Sequence, residues 1–281
     1  MEKVEVNSYV AKEFQTAEAI KTLRTNLMFS GEEIRIIGLT SFSASEGKTT
    51  ISFQLAASLA QAGKRVLLLD ADLRKSTLQT RLNVLGKVVG LSHYLIGQAN
   101  VNETLYQSDV AGLYIMFAGT RVPNAAELLG GSRFKKLMTA LKETFDYVIV
   151  DGTPLGQVID CAIMSPALDG MIIVVDTTHN SYKLERRIQK QLERSGGKIL
   201  GVVINRVDMK EKRRYYGRYG YGKRYGYGKR YGYGYGYGYG YGYGYGYGYG
   251  YGAEPEEKKE EEKKEEEKSA KYQPRTPVSL G

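Results

Sequence analysis

The stretch Ile34-Arg35-Ile36-Ile37-Gly38-Leu39-Thr40, running directly into Ser41-Phe42-Ser43-Ala44-Ser45-Glu46-Gly47-Lys48-Thr49-Thr50, decides the fold. A short apolar strand enters a loop of small residues that ends in Gly-Lys-Thr. Residues 49–62 then carry apolar side chains at helical spacing, closed by Gly63. The backbone N–H groups of such a loop, with the following helix N-terminus, form a cradle for phosphate. Lys48 is placed to reach the β and γ phosphates of a nucleotide, and the Thr49 hydroxyl to ligate magnesium. The expected cradle comprises Ser43, Ala44, Ser45, Glu46, Gly47, Lys48, Thr49 and Thr50. Phe42 stands where the strict G-x-x-x-x-G-K-[ST] pattern has its first glycine. Gly-Lys-Thr alone also fits a capped turn; strand before and helix after favour a nucleotide site. Lys48 is expected to be a surface-loop charge whose removal spares the fold.

Two more clusters point the same way. Val66-Leu67-Leu68-Leu69-Asp70-Ala71-Asp72-Leu73-Arg74 ends an apolar strand with two carboxylates and an arginine. Tyr147-Val148-Ile149-Val150-Asp151-Gly152-Thr153-Pro154 ends another with one. Singly, each aspartate reads as a helix cap. Together with the Gly-Lys-Thr loop they suit a hydrated magnesium held by few protein ligands and the nucleotide phosphates.

Apolar runs predict strands at residues 34–40, 65–70, 113–117, 147–151, 171–176 and 199–205. Helical stretches alternate with them at 49–62, 132–144, 161–167 and 181–194. Phe14, Ala17, Ile20, Leu23 and Leu27 recur at helical spacing and predict an amphipathic opening helix. Strand-helix alternation with Val/Ile/Leu-rich strands predicts an α/β fold, a mainly parallel doubly wound sheet with helices on both faces. Ligands then sit beyond the carboxyl ends of the strands, where the three clusters lie.

With those residues in hand, residues 14–208 resemble the bacterial protein-tyrosine kinases of capsule and exopolysaccharide synthesis, P-loop ATPases related to MinD and ParA. The resemblance rests on Glu18-Ala-Ile-Lys21-Thr-Leu-Arg24, the Lys48 loop, Asp70-Ala-Asp72-Leu-Arg74, Pro123-Asn-Ala-Ala-Glu127-Leu-Leu, Asp146–Asp151, and Gly201-Val-Val-Ile-Asn205-Arg206-Val-Asp208. It implies that ATP is bound with Mg2+ at Thr49, Asp70 and Asp151. Asp70 is implied as the base near the incoming tyrosine hydroxyl, with Asp72 and Asp151 organising the metal and its waters. Glu18, Lys21 and Arg24 lie in the helix implied to assemble a homo-oligomeric ring. Asn205 and Arg206 are implied at the adenine end, which favours ATP over the guanine reading of N-K-x-D. Ser43 occupies the position of an extra lysine in MinD and ParA, which favours the kinase branch. Ser45 replaces a usual glycine, which matters if that residue needs positive φ. The resemblance to split kinases also implies a separate transmembrane activator or adaptor.

Composition divides the chain near Met209. Residues 1–209 suffice for one α/β domain. Residues 210–281 hold 18 of the 24 tyrosines and half of the 34 glycines, with few aliphatics, so this tail is expected to be disordered in isolation. Residues 210–252 run from a basic stretch into Tyr-Gly repeats, and 253–281 form a charged Glu/Lys segment and terminus. Tyr215, Tyr216, Tyr219, Tyr221, Tyr225, Tyr227, Tyr231 and Tyr233 are the expected phosphoacceptors, modified between subunits and reset by a phosphotyrosine phosphatase. A Gly-rich coil spanning 210–251 has a mean reach of about 32–39 Å, enough to meet a neighbour's site. A self-associating low-complexity scaffold is the competing reading of the tail. For the domain, the competitors are a nucleotide-driven assembly switch without phosphotransfer and a partitioning ATPase.

Of the formal net charge of +9, two thirds lies in the tail, so no specific nucleic-acid binding by the domain is expected. The single cysteine, Cys161, excludes an intrachain disulfide and reads as a small core residue. His93 and His179 have no metal-ligand spacing. The N-terminus lacks a signal-peptide pattern, and no apolar run reaches the ~18–20 residues that cross a bilayer. The expectation is a cytoplasmic protein recruited to the inner face of the plasma membrane by a partner.

Overall fold

The computed structural model describes residues 3–11, 13–176 and 182–207. His179, Asp208 and the tail with its tyrosines lie outside the described residues. The strands are β1 (Lys3–Val4), β2 (Ile36–Ser41), β3 (Val66–Asp70), β4 (Tyr106–Ser108), β5 (Leu113–Met116), β6 (Tyr147–Pro154), β7 (Gly170–Asp176) and β8 (Ile199–Asn205). They form one sheet in the order β1-β4-β5-β3-β6-β2-β7-β8. All neighbours pair parallel except β4 with β5. The helices are α1 (Phe14–Met28), α2 (Lys48–Gln61), α3 (Leu78–Arg81), α4 (Leu91–Ile96), α5 (Ala125–Gly130), α6 (Ser132–Thr144), α7 (Asp160–Met164) and α8 (Tyr182–Arg194).

The doubly wound reading holds, and alternation along the strands explains it. Leu67, Leu69, Val148 and Val150 point to one face, where Phe134, Leu137 and Leu141 of α6 and Leu192 of α8 cover them. Val66, Leu68 and Ile149 point to the other, under Leu55 and Leu59 of α2. A strand apolar on both sides is stable only when both sides are covered. Truncating one such leucine to alanine costs about 2–5 kcal/mol.

The opening helix forms, but its stripe is only partly covered: Leu27 is buried, while Phe14 is 76% exposed. The stretch expected as one helix over 161–167 is α7 followed by a 3-10 turn at Ser165–Ala167, where Pro166 removes a backbone donor. Strand β6 runs on to Pro154, three residues beyond the expected end. The strands β1 and β4, the outer two at one side of the sheet, are not expected from the sequence, since two and three residues carry no readable period. Among the described helices none is long and apolar enough to cross a membrane.

Candidate active site

Strand register assembles the site. Asp70 of β3 lies directly opposite Asp151 of β6, and Asp151 is also opposite Leu39 of β2, just before the phosphate loop. Three segments distant in sequence thus end side by side at the carboxyl edge. The loop between β2 and α2 is pinned from within. The Phe42 N–H donates to Glu46 Oε2 at 2.9 Å, and the Ser41 hydroxyl to the Ser43 carbonyl at 2.8 Å. Gly47 caps α2 with φ +91°, and a Cβ there would stand 2.1 Å from Asn205 Nδ2, so only glycine fits. Ser45 has φ +67°. The glycine it replaces in the resembled family is therefore one the backbone conformation calls for.

Lys48 corrects an expectation. It is not an exposed loop charge but a buried one, 7% exposed, with Nζ 2.7 Å from Asp151 Oδ1. The Ser52 hydroxyl, one helical turn on, donates to the same oxygen at 3.2 Å. Burial alone would lower the Lys48 pKa; the Asp151 carboxylate outweighs it and raises it above the ordinary lysine value. Asp70 is buried, accepting from the Asp72 N–H at 3.1 Å and from the Ser76 hydroxyl. Burial, and after it the Asp151 carboxylate, push its pKa up to about 7, against those two hydrogen bonds. A carboxylate so placed can take and release a proton near neutral pH.

Asp72 is half-buried, and its Oδ1 accepts from the Arg74 and Lys75 N–H groups at 3.2 and 2.8 Å, fixing the turn after β3. Arg74 makes a two-pronged ion pair with the buried Asp160 of α7, at 2.6 and 2.9 Å. A cavity of about 330 Å³ opens at this edge, walled by loop residues Ser43–Ser45 and Gly47–Thr49 and by Asp72 across from them. Thr50 sits at its outer margin, where its hydroxyl accepts from Arg81 Nη1 at 3.0 Å.

Asn205 and Arg206 lie against the phosphate loop. The Asn205 side-chain amide donates to the Glu46 carbonyl at 2.9 Å. Arg206, at φ +56°, donates to the Ser45 carbonyl at 2.8 Å and pairs with the buried Asp176 at 2.5 Å. Both brace the loop from its outer side, and neither is among the cavity walls. Glu18 and Lys21 pair with each other on the exposed face of α1, while Arg24 donates to the carbonyl and hydroxyl of Ser58 on α2. Cys161 is buried with its thiol donating to the Thr153 carbonyl at 3.0 Å, as a core residue should be. His93 accepts from the Gly90 N–H and meets the Thr120 hydroxyl, a structural role.

The sequence did not reveal Ser52, Ser76, Asp160, Arg81 or Arg121 as site residues. Ser52 carries a readable signal, one turn beyond Lys48 on the same helix face. The others arrive through the packing of α3, α7 and the loop after β5, which no local pattern announces. Among the described residues no three His, Cys, Asp or Glu side chains converge on a metal position. That donor set, a threonine hydroxyl and separate carboxylates, suits a largely hydrated magnesium.

Comparison with known proteins agrees with this geometry. A family profile described as an AAA domain matches residues 34–194. The tyrosine-protein kinase CpsD of Streptococcus agalactiae is 39% identical over 219 residues, covering 78% of this chain and 95% of that protein. The solved kinase domain of Escherichia coli tyrosine kinase ETK superposes with a TM-score of 0.66 at 30% identity, over 77% of this chain and 80% of that one. The cell division ATPase MinD of Pyrococcus furiosus superposes at 0.53 with 26% identity, over 62% and 74%. The chain belongs to the bacterial tyrosine-protein kinases, built on a nucleotide-binding P-loop fold shared with MinD.

Proposed function

We propose that this kinase transfers the γ-phosphoryl group of ATP to tyrosines of its own tail, chiefly between copies, and thereby regulates capsule or exopolysaccharide synthesis and export. The observation that carries the reading is the buried Lys48–Asp151 pair standing beside Asp70, below a cavity walled by the phosphate loop. The loop N–H groups bind the triphosphate, and the Lys48 ammonium, held charged by Asp151, is placed to meet its terminal phosphates. Thr49, Asp70 and Asp151 would hold magnesium, and Asp72 would orient its waters. Magnesium supplies neutralisation of the phosphate charge. Asp70 takes the proton of the acceptor hydroxyl. The tyrosine oxygen bonds to the γ phosphorus, the bond from that phosphorus to the β,γ-bridging oxygen breaks, and ADP leaves with the electron pair. Positioning and charge stabilisation do most of the catalytic work in such transfers.

Asn205 and Arg206 act in this reading by holding the Ser45 and Glu46 carbonyls, and so the shape of the ATP cradle. The eight tyrosines from Tyr215 to Tyr233 belong to the acceptor cluster. The exposed face of α1, with Phe14, Glu18 and Lys21, serves ring assembly, and Arg24 supports it through α2. A transmembrane partner with a cytoplasmic segment recruits and activates the kinase at the inner face of the plasma membrane, and a phosphatase resets the tail.

The test mixes full-length Asp70→Asn chain with active chain lacking residues 210–281, adds ATP and magnesium, and reads intact mass. Phosphates on the inactive chain's tail are expected. If that tail stays unmodified while full-length wild type labels itself, transfer is within one chain. No label on wild type under any condition, with or without membranes, rejects tail phosphorylation.

A further inference from the structure

Five basic side chains line the phosphate cavity, and two of them are committed to carboxylates, Lys48 to Asp151 and Arg74 to Asp160. Lys75, Arg81 and Arg121 make no ion pair among the described residues. Arg81 is nevertheless held in a defined place. Its helix α3 is set into the core by Leu78, and the next residue of the chain, Leu82, is buried as well. Asn83 then donates its amide to the Tyr9 hydroxyl, while the Tyr9 carbonyl accepts from Gln54 of α2 at 2.6 Å. The guanidinium itself is fixed at two points. Its Nε donates to the Thr77 hydroxyl at 3.1 Å, and its Nη1 to the Thr50 hydroxyl at 3.0 Å. A guanidinium carries five N–H donors, so three remain on an exposed side chain that lines the cavity.

We propose that Arg81 is a phosphate-binding residue of the nucleotide site, taking the diphosphate that stays with the nucleotide and not the γ-phosphoryl group that moves. The inference rests on the kinase reading and adds to it a contact supplied by α3. Helix α2 decides which phosphates lie within reach. Lys48 and Ser52 both donate to Asp151 Oδ1, so one face of the first turn of α2 is turned to the reacting end. Thr50 is two residues from each, close to half a turn round the helix, and points to the opposite flank. The guanidinium tied to Thr50 stands on that flank. Lys48 serves the β and γ phosphates, so the phosphate chain on Arg81's side is the part leading back to the nucleoside. A planar guanidinium meets two phosphate oxygens side by side, which a lysine ammonium does not. With Thr50 and Thr77 already holding its plane, the side chain gives up little freedom when the nucleotide arrives.

The test measures binding of ADP and ATP, each with magnesium, to the full-length protein by calorimetry, and urea unfolding without nucleotide. Arg81→Ala should weaken ADP and ATP alike, by about tenfold or more, and leave unfolding unchanged because the side chain is exposed. Arg81→Lys keeps the charge without the fork and should recover only part of the loss. Thr50→Val removes one anchor and should weaken ADP less than Arg81→Ala does. Combined with Arg81→Ala it should add nothing, since the anchor acts only through the guanidinium. ATP weakened with ADP at its wild-type affinity makes Arg81 a γ-phosphate contact and overturns the assignment. Wild-type affinity for both nucleotides in Arg81→Ala overturns it and leaves the kinase reading standing. A loss of folding stability that matches the loss of affinity makes the residue structural and overturns it too. Failure of wild type to bind either nucleotide overturns both the assignment and the kinase reading.

Discussion

Aspartates stand at both ends of the central strands, and the two ends treat them in opposite ways. At the amino end, Asp169 accepts from the Arg35 and Ile36 N–H groups at 2.9 and 2.8 Å and pairs with Lys142, while Asp146 accepts from the Arg65 N–H at 2.7 Å. At the carboxyl end, Asp70 and Asp151 face each other inside the protein, and the buried Lys48 pairs with Asp151. Burial works to raise Asp169, but the bonds from Lys142, Ile36 and Arg35 prevail and lower its pKa. At Asp70, burial joined by Asp151 prevails and pushes the pKa up to about 7. The difference teaches that strand-end carboxylates fasten strands where water and N–H donors reach them. They become reactive where burial and a second carboxylate outweigh the hydrogen bonds they accept.

The largest effect that separates the two ends comes from Lys48→Met. It should abolish tyrosine phosphorylation and, by leaving Asp151 buried without its partner, destabilise the fold by about 3–5 kcal/mol. Urea unfolding and anti-phosphotyrosine blotting measure the two. Adding Asp151→Leu should recover much of the stability and none of the activity. Full stability in the single variant would show that the pair is solvated and that burial is not what distinguishes the carboxyl end.

The next effect is a dependence on pH. A carboxyl group whose folded pKa lies above its unfolded value of about 4 binds its proton more tightly when folded. Asp70 therefore lowers stability progressively as pH rises from about 4 to about 7, by a few kcal/mol in all. Asp70→Asn should gain stability relative to wild type across that interval, while losing transfer and keeping ATP affinity within a few-fold. Asp169→Asn should behave oppositely. Its carboxylate stabilises the fold above the ordinary carboxylate range, and that contribution disappears as pH falls through its lowered value. At neutral pH the variant should lose about 1–2 kcal/mol, from the weakened bonds to the two N–H groups, with phosphorylation unchanged. Parallel pH profiles for the two variants would erase the distinction between the ends.

Much of the carboxyl end is legible in the sequence because each strand announces its own terminus. The apolar run stops at Asp70 or Asp151, and Gly47-Lys48-Thr49 opens a helix after β2. What a local pattern cannot state is pairing across the sheet. That Asp70 faces Asp151 follows from β6 lying between β3 and β2, and Lys48 reads as exposed until its partner across the sheet is known. Arg74 appears in the sequence as a motif residue, yet its partner Asp160 lies in a short helix whose position depends on the extension of β6. Arg121 and Arg81 come together only because β5 sits next to β3, and nothing in their spacing signals a shared cavity. That Asn205 and Arg206 meet the carbonyls of the phosphate loop is likewise unreadable in the sequence, since it follows from the register of β8 on β7, with Asn205 opposite Asp176.

Ser45 gives the smallest and most local test of the carboxyl end. Its φ of +67° lies in the left-handed region, where a Cβ crowds the following carbonyl and costs about 1–2 kcal/mol. The conformation is held from outside, since the Ser45 carbonyl accepts from Arg206 and the next carbonyl, of Glu46, from Asn205. Ser45→Gly removes the crowding but also frees the unfolded chain, which offsets part of the gain. The net expectation is a stabilisation of about 0.5–1 kcal/mol, read by urea unfolding without nucleotide. The same substitution should tighten ATP binding modestly, because the loop N–H groups then reach their cradle geometry without opposing strain. Arg206→Ala should reverse the ATP effect in wild type more than in Ser45→Gly, since a glycine there depends less on the brace. Equal effects of Arg206→Ala in the two backgrounds would show that the brace and the strain are independent, and that the loop is shaped by Gly47 alone.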